Sequence, residues 1–195
     1  MASKQMLFLL VASAAMVAVV RSQCKVDFVF IVDGSGSICG NQPNECDNWR
    51  SIKQFLRSVV SKMSVGPNGS KVAMVTFGSI GNLIWDLDTY SDSNSLQNAI
   101  DQVKYLNEKT NTSHALDLVR TRVFGGKGDR AGVPNVAILI TDGLPSNKTN
   151  PFVDGRGLAR SAAQRLKDSG VDLITVGVTS QIDAQLLKDL SSPPQ

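Results

Sequence analysis

Short apolar runs rich in β-branched residues alternate with segments of helical periodicity along most of this chain, and that alternation sets the class of fold. Residues 25–32 (KVDFVFIV), 71–77 (KVAMVTF), 135–141 (NVAILIT) and 171–178 (VDLITVGV) read as strands without a polar face. Residues 82–87 (NLIWDL) read as a further strand, joined to 71–77 through a short Ser-Ile-Gly turn as a hairpin. Between the strands, apolar residues recur at three- and four-residue spacing. One set is Trp49, Ile52, Phe55, Leu56, Val59, Val60 and Met63 behind a capping Asp47. The others are Leu96, Ile100, Val103 and Leu106; Ala115, Leu116, Val119 and Val123 behind a capping Thr112; and Leu158, Ala159, Ala162, Ala163 and Leu166, ended by Gly170. A last short helix spans Asp183 to Leu190. Strands that are apolar on both faces need helices on both faces. The expected fold is therefore α/β: a doubly wound, mainly parallel sheet with one antiparallel edge strand. Such sheets bind ligands at the carboxyl ends of their strands, where the strand order reverses. The loops after Val32, Leu106 and Thr141 are thus where chemistry is expected.

Residues 1–22 stand outside this pattern. Lys4, an apolar run from Met6 to Val20, and Val20-Arg21-Ser22 at the cleavage position have the form of a secretory signal peptide. The run is short for a bilayer span, which takes roughly 20 residues. The expected organisation is a signal peptide at 1–22, one domain at 23–192, and a linker start or truncation at 193–195. Removing Lys4 and Arg21 leaves 18 cationic against 17 anionic side chains, with no basic stripe, which argues against a nucleic-acid partner. A single histidine, His114, argues against histidine-based catalysis and histidine-rich metal sites. Export also means an oxidising compartment, where cysteines tend to pair. Cys39 and Cys46 flank the turn-forming GNQPNE and are paired on that ground; closing so short a loop contributes about 2.5 kcal/mol. Cys24 is left over, as a free thiol or an intermolecular partner.

The loop after the first strand reads Asp33-Gly34-Ser35-Gly36-Ser37. Its carboxylate and two hydroxyls alternate, so a tight turn can aim all three at one point. Oxygen ligands of this kind suit a hard cation such as Mg²⁺. The two glycines let the backbone bend and are expected to keep the space above an ion clear. The other two loops carry Lys109-Thr110-Asn111-Thr112 and Thr141-Asp142-Gly143. Together, DGSGS, the threonine of TNT and the aspartate of ITDG resemble the von Willebrand factor type A domain with its metal-ion-dependent adhesion site. The order and spacing fit over residues 25–190. The resemblance implies a metal site of Asp33, Ser35, Ser37, Thr110 and Asp142. In it, the serines and threonine coordinate directly in the ligand-bound state, and the aspartates act largely through water. Mg²⁺ is the implied ion, with Mn²⁺ or Ca²⁺ as alternatives. An open coordination position then attracts a carboxylate from a partner protein.

Other readings fit less well. A dinucleotide site wants GxGxxG, and this loop spaces Gly34, Gly36 and Gly40 one residue too far; its acid also repels a pyrophosphate. A nucleophile elbow wants GxSxG, but Asp33 and Ser37 occupy the flanking positions around Ser35. Sequons at Asn68, Asn111 and Asn147 are glycosylation candidates: Asn68 in a turn, Asn111 constrained beside Thr110, and Asn147 on the binding face.

Two features depart from the family. The family continues past Asp183–Leu190 with a further strand and a C-terminal helix, so a fragment or an unusually short domain is expected here. The Cys39–Cys46 segment follows directly on Ser37 and adds a wall to the binding face. The leading expectation is a secreted, non-enzymatic adhesion module of the extracellular matrix, binding an acidic residue of a collagen-like or other matrix protein, with no membrane span. Its rim is formed by Lys109, His114, the Cys39–Cys46 loop and Leu144 to Lys148. The alternatives are a structural matrix-assembly domain in which metal serves stability, and, with less support, a metal-dependent hydrolase.

Overall fold

The computed structural model describes residues 25–143, 154–179 and 182–193. The signal segment, Cys24, Asn147 and the Leu144–Lys148 rim lie outside them. The elements follow in the order β1 (Asp27–Asp33), a 3-10 turn (Gly36–Cys39), α1 (Asp47–Ser61), β2 (Lys71–Phe77), β3 (Gly81–Trp85), α2 (Ser93–Asp101), α3 (Thr112–Leu118) running into a π turn (Val119–Val123), β4 (Asn135–Thr141), α4 (Gly155–Asp168), β5 (Val171–Gly177) and α5 (Ala184–Leu190).

The strands form one sheet in the order β3-β2-β1-β4-β5. β1 pairs in parallel with both β2 and β4, β5 runs parallel to β4, and β3 is the antiparallel edge strand. The mainly parallel, doubly wound arrangement matches the expectation from the apolar runs. β1 is buried along its whole length because it is central and covered on both sides. One face packs Val29, Ile31, Val75, Phe77 and Leu139 against the apolar sides of α3, α4 and α5. The other packs Phe30, Val32, Met74 and Ile140 against Trp49, Ile52, Leu56 and Val60 of α1 and Leu96 and Ile100 of α2.

Several local expectations are corrected. Cys46, not Asp47, is the residue that caps α1, and Asp47 is its first residue. Asn111, not Thr112, caps α3, its side chain accepting from the His114 backbone N–H; Thr112 opens the helix and is buried. Phe55 and Leu158 were placed on buried helix faces, yet they are 38% and 45% exposed. For Phe55 the reason is visible: it borders a shallow groove with Ile140, Val176 and Val178, where no described helix covers the outer half of the sheet. The helix expected to run to Leu106 ends at Asp101. Val103 and Leu106 pack as non-helical chain instead: the Val103 carbonyl accepts from the Trp49 indole, and Leu106 lies against Gly34.

The far end of β1 carries a charged pair. Asp27 is fully buried, and both of its oxygens accept from Arg130, from the backbone N–H at 2.8 Å and from the guanidinium at 2.7 and 2.9 Å. Arg130 also donates to the Gly69 carbonyl, so one guanidinium ties its own loop and the turn before β2 to the start of β1.

Candidate functional site

The chain steps from β1 outward to β2 and later returns to place β4 on the other side of β1, so the strand order reverses at β1. The carboxyl ends of β1 and β4 therefore diverge into loops on opposite faces, and a crevice opens between them. Asp33 is the last residue of β1, and Asp142 follows directly on β4. Both are buried, at 0% and 1% exposure.

Asp33 is strand, not loop, and its carboxylate is held from two sides. Oδ1 accepts the Ser35 backbone N–H at 2.9 Å, and Oδ2 accepts the Thr141 hydroxyl at 2.6 Å. Thr141 in turn accepts the Gly143 N–H at 3.0 Å, which fixes the turn that presents Asp142. Thr141 is a site residue that sequence reasoning passed over, because its partner lies 108 positions away. Among the described residues Asp33 has no ion-pair partner. Burial pushes its carboxyl up to about 6, against hydrogen bonds from Ser35 and Thr141 that lower it; the nearby Asp142 charge raises it further.

The two serines face one another, Ser35 Oγ to Ser37 Oγ at 3.1 Å. Ser35 is fully buried and Ser37 partly so. Residues 107–108 run alongside this turn: Asn107 N–H donates to the Gly34 carbonyl at 2.9 Å, and Gly36 N–H to the Glu108 carbonyl at 2.8 Å. This brings Thr110 to the same edge, where it is buried at 5% exposure rather than on the surface. The Asn111 N–H then donates to the Gly78 carbonyl, locking the segment to the β2–β3 hairpin. The five expected residues thus gather at one edge of the sheet.

The glycines at 34 and 36 are also required by their neighbours. A Cβ on Gly34 would meet Leu106 at 3.0 Å, and one on Gly36 would meet Asn41 Oδ1 at 2.6 Å. They admit the neighbouring Leu106 and Asn41 side chains. His114 is exposed, as expected of a rim residue, but Nδ1 accepts the Gly81 N–H at 2.9 Å, so it also fastens the hairpin to α3. Cys39 and Cys46 are bonded. Asn68 is exposed in its turn, whereas the Asn111 amide donates to the Ser79 carbonyl and accepts from His114 and Ser113.

Two buried carboxylates and three hydroxyls, all hard oxygens, lie at this edge, and among the described residues Asp33 is supplied with hydroxyl and amide donors and no ion pair. That chemistry fits a small divalent cation.

Residues 27–195 match the von Willebrand factor type A domain. Among relatives, mouse matrilin-3 is 30% identical over 173 residues, 87% of this chain and 32% of that protein. Human collagen alpha-6(VI) chain is 30% identical over 89% of this chain and 7% of its own length, and mouse vitrin 31% over 83% and 23%. The chain spans less than a third of the length of each. These relatives are extracellular matrix proteins. No helix among the described residues is long and apolar enough to cross a membrane. Of solved structures, proximal thread matrix protein 1 from the mussel byssus, with a zinc-occupied MIDAS motif, superposes with a TM-score of 0.72 at 28% identity, covering 86% of this chain and 39% of that one. Manganese-loaded Plasmodium vivax TRAP protein shares the fold at a TM-score of 0.71 and 23% identity, covering 86% and 63%. The profile match over nearly the whole described chain, on a sheet with this strand order, shows that the chain belongs to the von Willebrand factor type A domain family.

Proposed function

We propose that this domain is a metal-dependent adhesion module of the extracellular matrix, in which Asp33, Ser35, Ser37, Thr110 and Asp142 hold a divalent cation and a partner protein supplies a carboxylate. One observation carries the reading: Asp33 is buried with its carboxyl pushed up to about 6, beside a second buried acid and a facing pair of serine hydroxyls. A charge is costly to bury without compensation, and a cation compensates two carboxylates at once. The zinc in the mussel protein's MIDAS and the manganese in TRAP support a divalent ion for this donor set.

When bound, the cation supplies an electrophilic position open to one further oxygen ligand. The residues do the rest. Asp33 and Asp142 provide negative charge at the floor of the crevice. The three neutral hydroxyls add ligand oxygens without cancelling the ion's charge. Thr141 and the Ser35 N–H orient the Asp33 carboxylate. The single ionic contact covers little area, so partner selection rests on the surrounding rim, including Lys109, His114 and the disulfide loop.

The test is a solid-phase adhesion assay against collagens and other matrix proteins, with and without EDTA. Binding is expected with Mg²⁺ or Mn²⁺, more weakly with Ca²⁺, which prefers more ligands at longer distance. Full adhesion in EDTA would overturn the mechanism and favour a matrix-assembly domain in which metal serves stability.

A further inference from the structure

The backbone of Gly36 sits between Ser35 and Ser37, and two other segments, residues 105–108 and the loop at Asn41, hold its N–H and its carbonyl. Its N–H donates to the Glu108 carbonyl at 2.8 Å. Its carbonyl accepts the backbone N–H of Asn41 at 2.6 Å and the Tyr105 hydroxyl at 3.3 Å. The same phenol donates to the Ser35 carbonyl at 3.1 Å. Its ring leans on Trp49 of α1 at 5.5 Å, so its position is fixed by the core. Asn41 is held differently. It lies in the exposed loop closed by the Cys39–Cys46 bond, in a left-handed conformation at φ 61°, after Gly40 at φ 62°. Two successive residues in that region are unfavourable for a free chain, above all for a residue with a Cβ. The disulfide ties this bend to Cys46, the residue that caps α1.

We infer that the Cys39–Cys46 disulfide and the Tyr105 hydroxyl are the two jaws of a clamp on the Gly36 peptide that sets the Ser35–Ser37 hydroxyl pair, making both of them positioning elements of the metal site. The inference rests on the metal reading above. Rotating the Gly36–Ser37 peptide, which carries the clamped carbonyl, would swing Ser37 away from Ser35, because Gly36 is the residue that links them. The Asn41 contact is made by backbone, so it is tested through the bend that carries it: opening the disulfide is expected to release it. A dithiol reductant does this in a balanced exchange, taking up the cysteine disulfide as two thiols while forming its own. The Tyr105 contact is removed by Tyr105→Phe, which deletes one oxygen and keeps the ring on Trp49.

The experiment measures Mn²⁺ affinity, by paramagnetic resonance of free Mn²⁺, for four forms of the full chain: oxidised, dithiothreitol-reduced, Cys39→Ser/Cys46→Ser and Tyr105→Phe. Circular dichroism follows the fold of each. Loss of support to metal ligands typically weakens affinity at least about tenfold. Folded reduced protein and folded Tyr105→Phe are each expected to bind Mn²⁺ about tenfold more weakly than the oxidised protein, and the double serine variant to match the reduced form. Unchanged affinity in folded reduced protein and in Tyr105→Phe would overturn the clamp while leaving the metal site standing. Should both disulfide-free forms unfold, Tyr105→Phe alone decides. Oxidised wild-type protein that binds no Mn²⁺ would overturn the metal reading itself, and the clamp with it.

Discussion

Replacing Asp33 by asparagine is expected to stabilise the metal-free domain at neutral pH, although it removes a site residue. In the folded chain the Asp33 carboxyl is pushed from 3.8 up to about 6, chiefly by burial. A folded-state pKa above the unfolded one means the native state holds the proton more tightly. The group's contribution to stability is complete below the unfolded value and is lost as pH rises through about 6. At 1.36 kcal/mol per pKa unit the loss amounts to roughly 3 kcal/mol above pH 7. Asparagine carries no charge, and its amide can keep both contacts. Its oxygen accepts the Ser35 N–H, and its NH₂ donates to the Thr141 hydroxyl, which can accept as well as donate. The assay is urea unfolding of wild type and Asp33→Asn in EDTA from pH 4 to 8. The variant is expected to be more stable at pH 7.5 by up to about 3 kcal/mol, with the difference shrinking towards zero near pH 4. Added Mg²⁺ should close the gap by stabilising wild type only. A difference that does not vary with pH, or a variant less stable at pH 7.5, would refute the argument that burial of this charge dominates.

Thr110→Ala should abolish adhesion at saturating Mg²⁺ while costing only about 1 kcal/mol in a thermal melt, since one small buried hydroxyl and one methyl are all that is lost. Arg130→Met should cost about 3–5 kcal/mol in denaturant unfolding, because Asp27 is left charged and fully buried. Adding Asp27→Asn to it should restore much of that loss, and Mg²⁺ affinity in the pair, measured by calorimetry, should match wild type because the site is at the opposite end of β1.

The strands were legible almost to the residue, because an uninterrupted β-branched run such as 135–141 leaves no other apolar arrangement in a sheet covered on both faces. The helices were legible as elements but not as faces. Phe55 fits the period of α1, yet whether it is covered depends on what lies over β4 and β5, which periodicity does not record. Val103 and Leu106 kept helical spacing with no helix beneath them, since the segment is drawn out to run beside residues 34–36. The five candidate ligands could be found because the sequence places each at a strand end or in a loop of recognisable pattern. The residues that hold them in place could not. Thr141 reaches Asp33 across 108 positions and Tyr105 reaches Ser35 across 70, and neither carries a local signal of its partner.

β1 carries a buried carboxylate at each end, and the two are balanced by different means. At Asp27 the countercharge is a guanidinium built into the chain, which stays in place whatever the surrounding fluid contains. At Asp33 the described residues offer hydroxyl and amide donors and no ion pair. The two ends of one strand therefore differ in what they report. The lower end carries its countercharge within the chain. The upper end is expected to make the stability of the domain vary with acidity, through a carboxyl raised to about 6, and, on the proposed metal reading, with the divalent-ion content of the surrounding fluid.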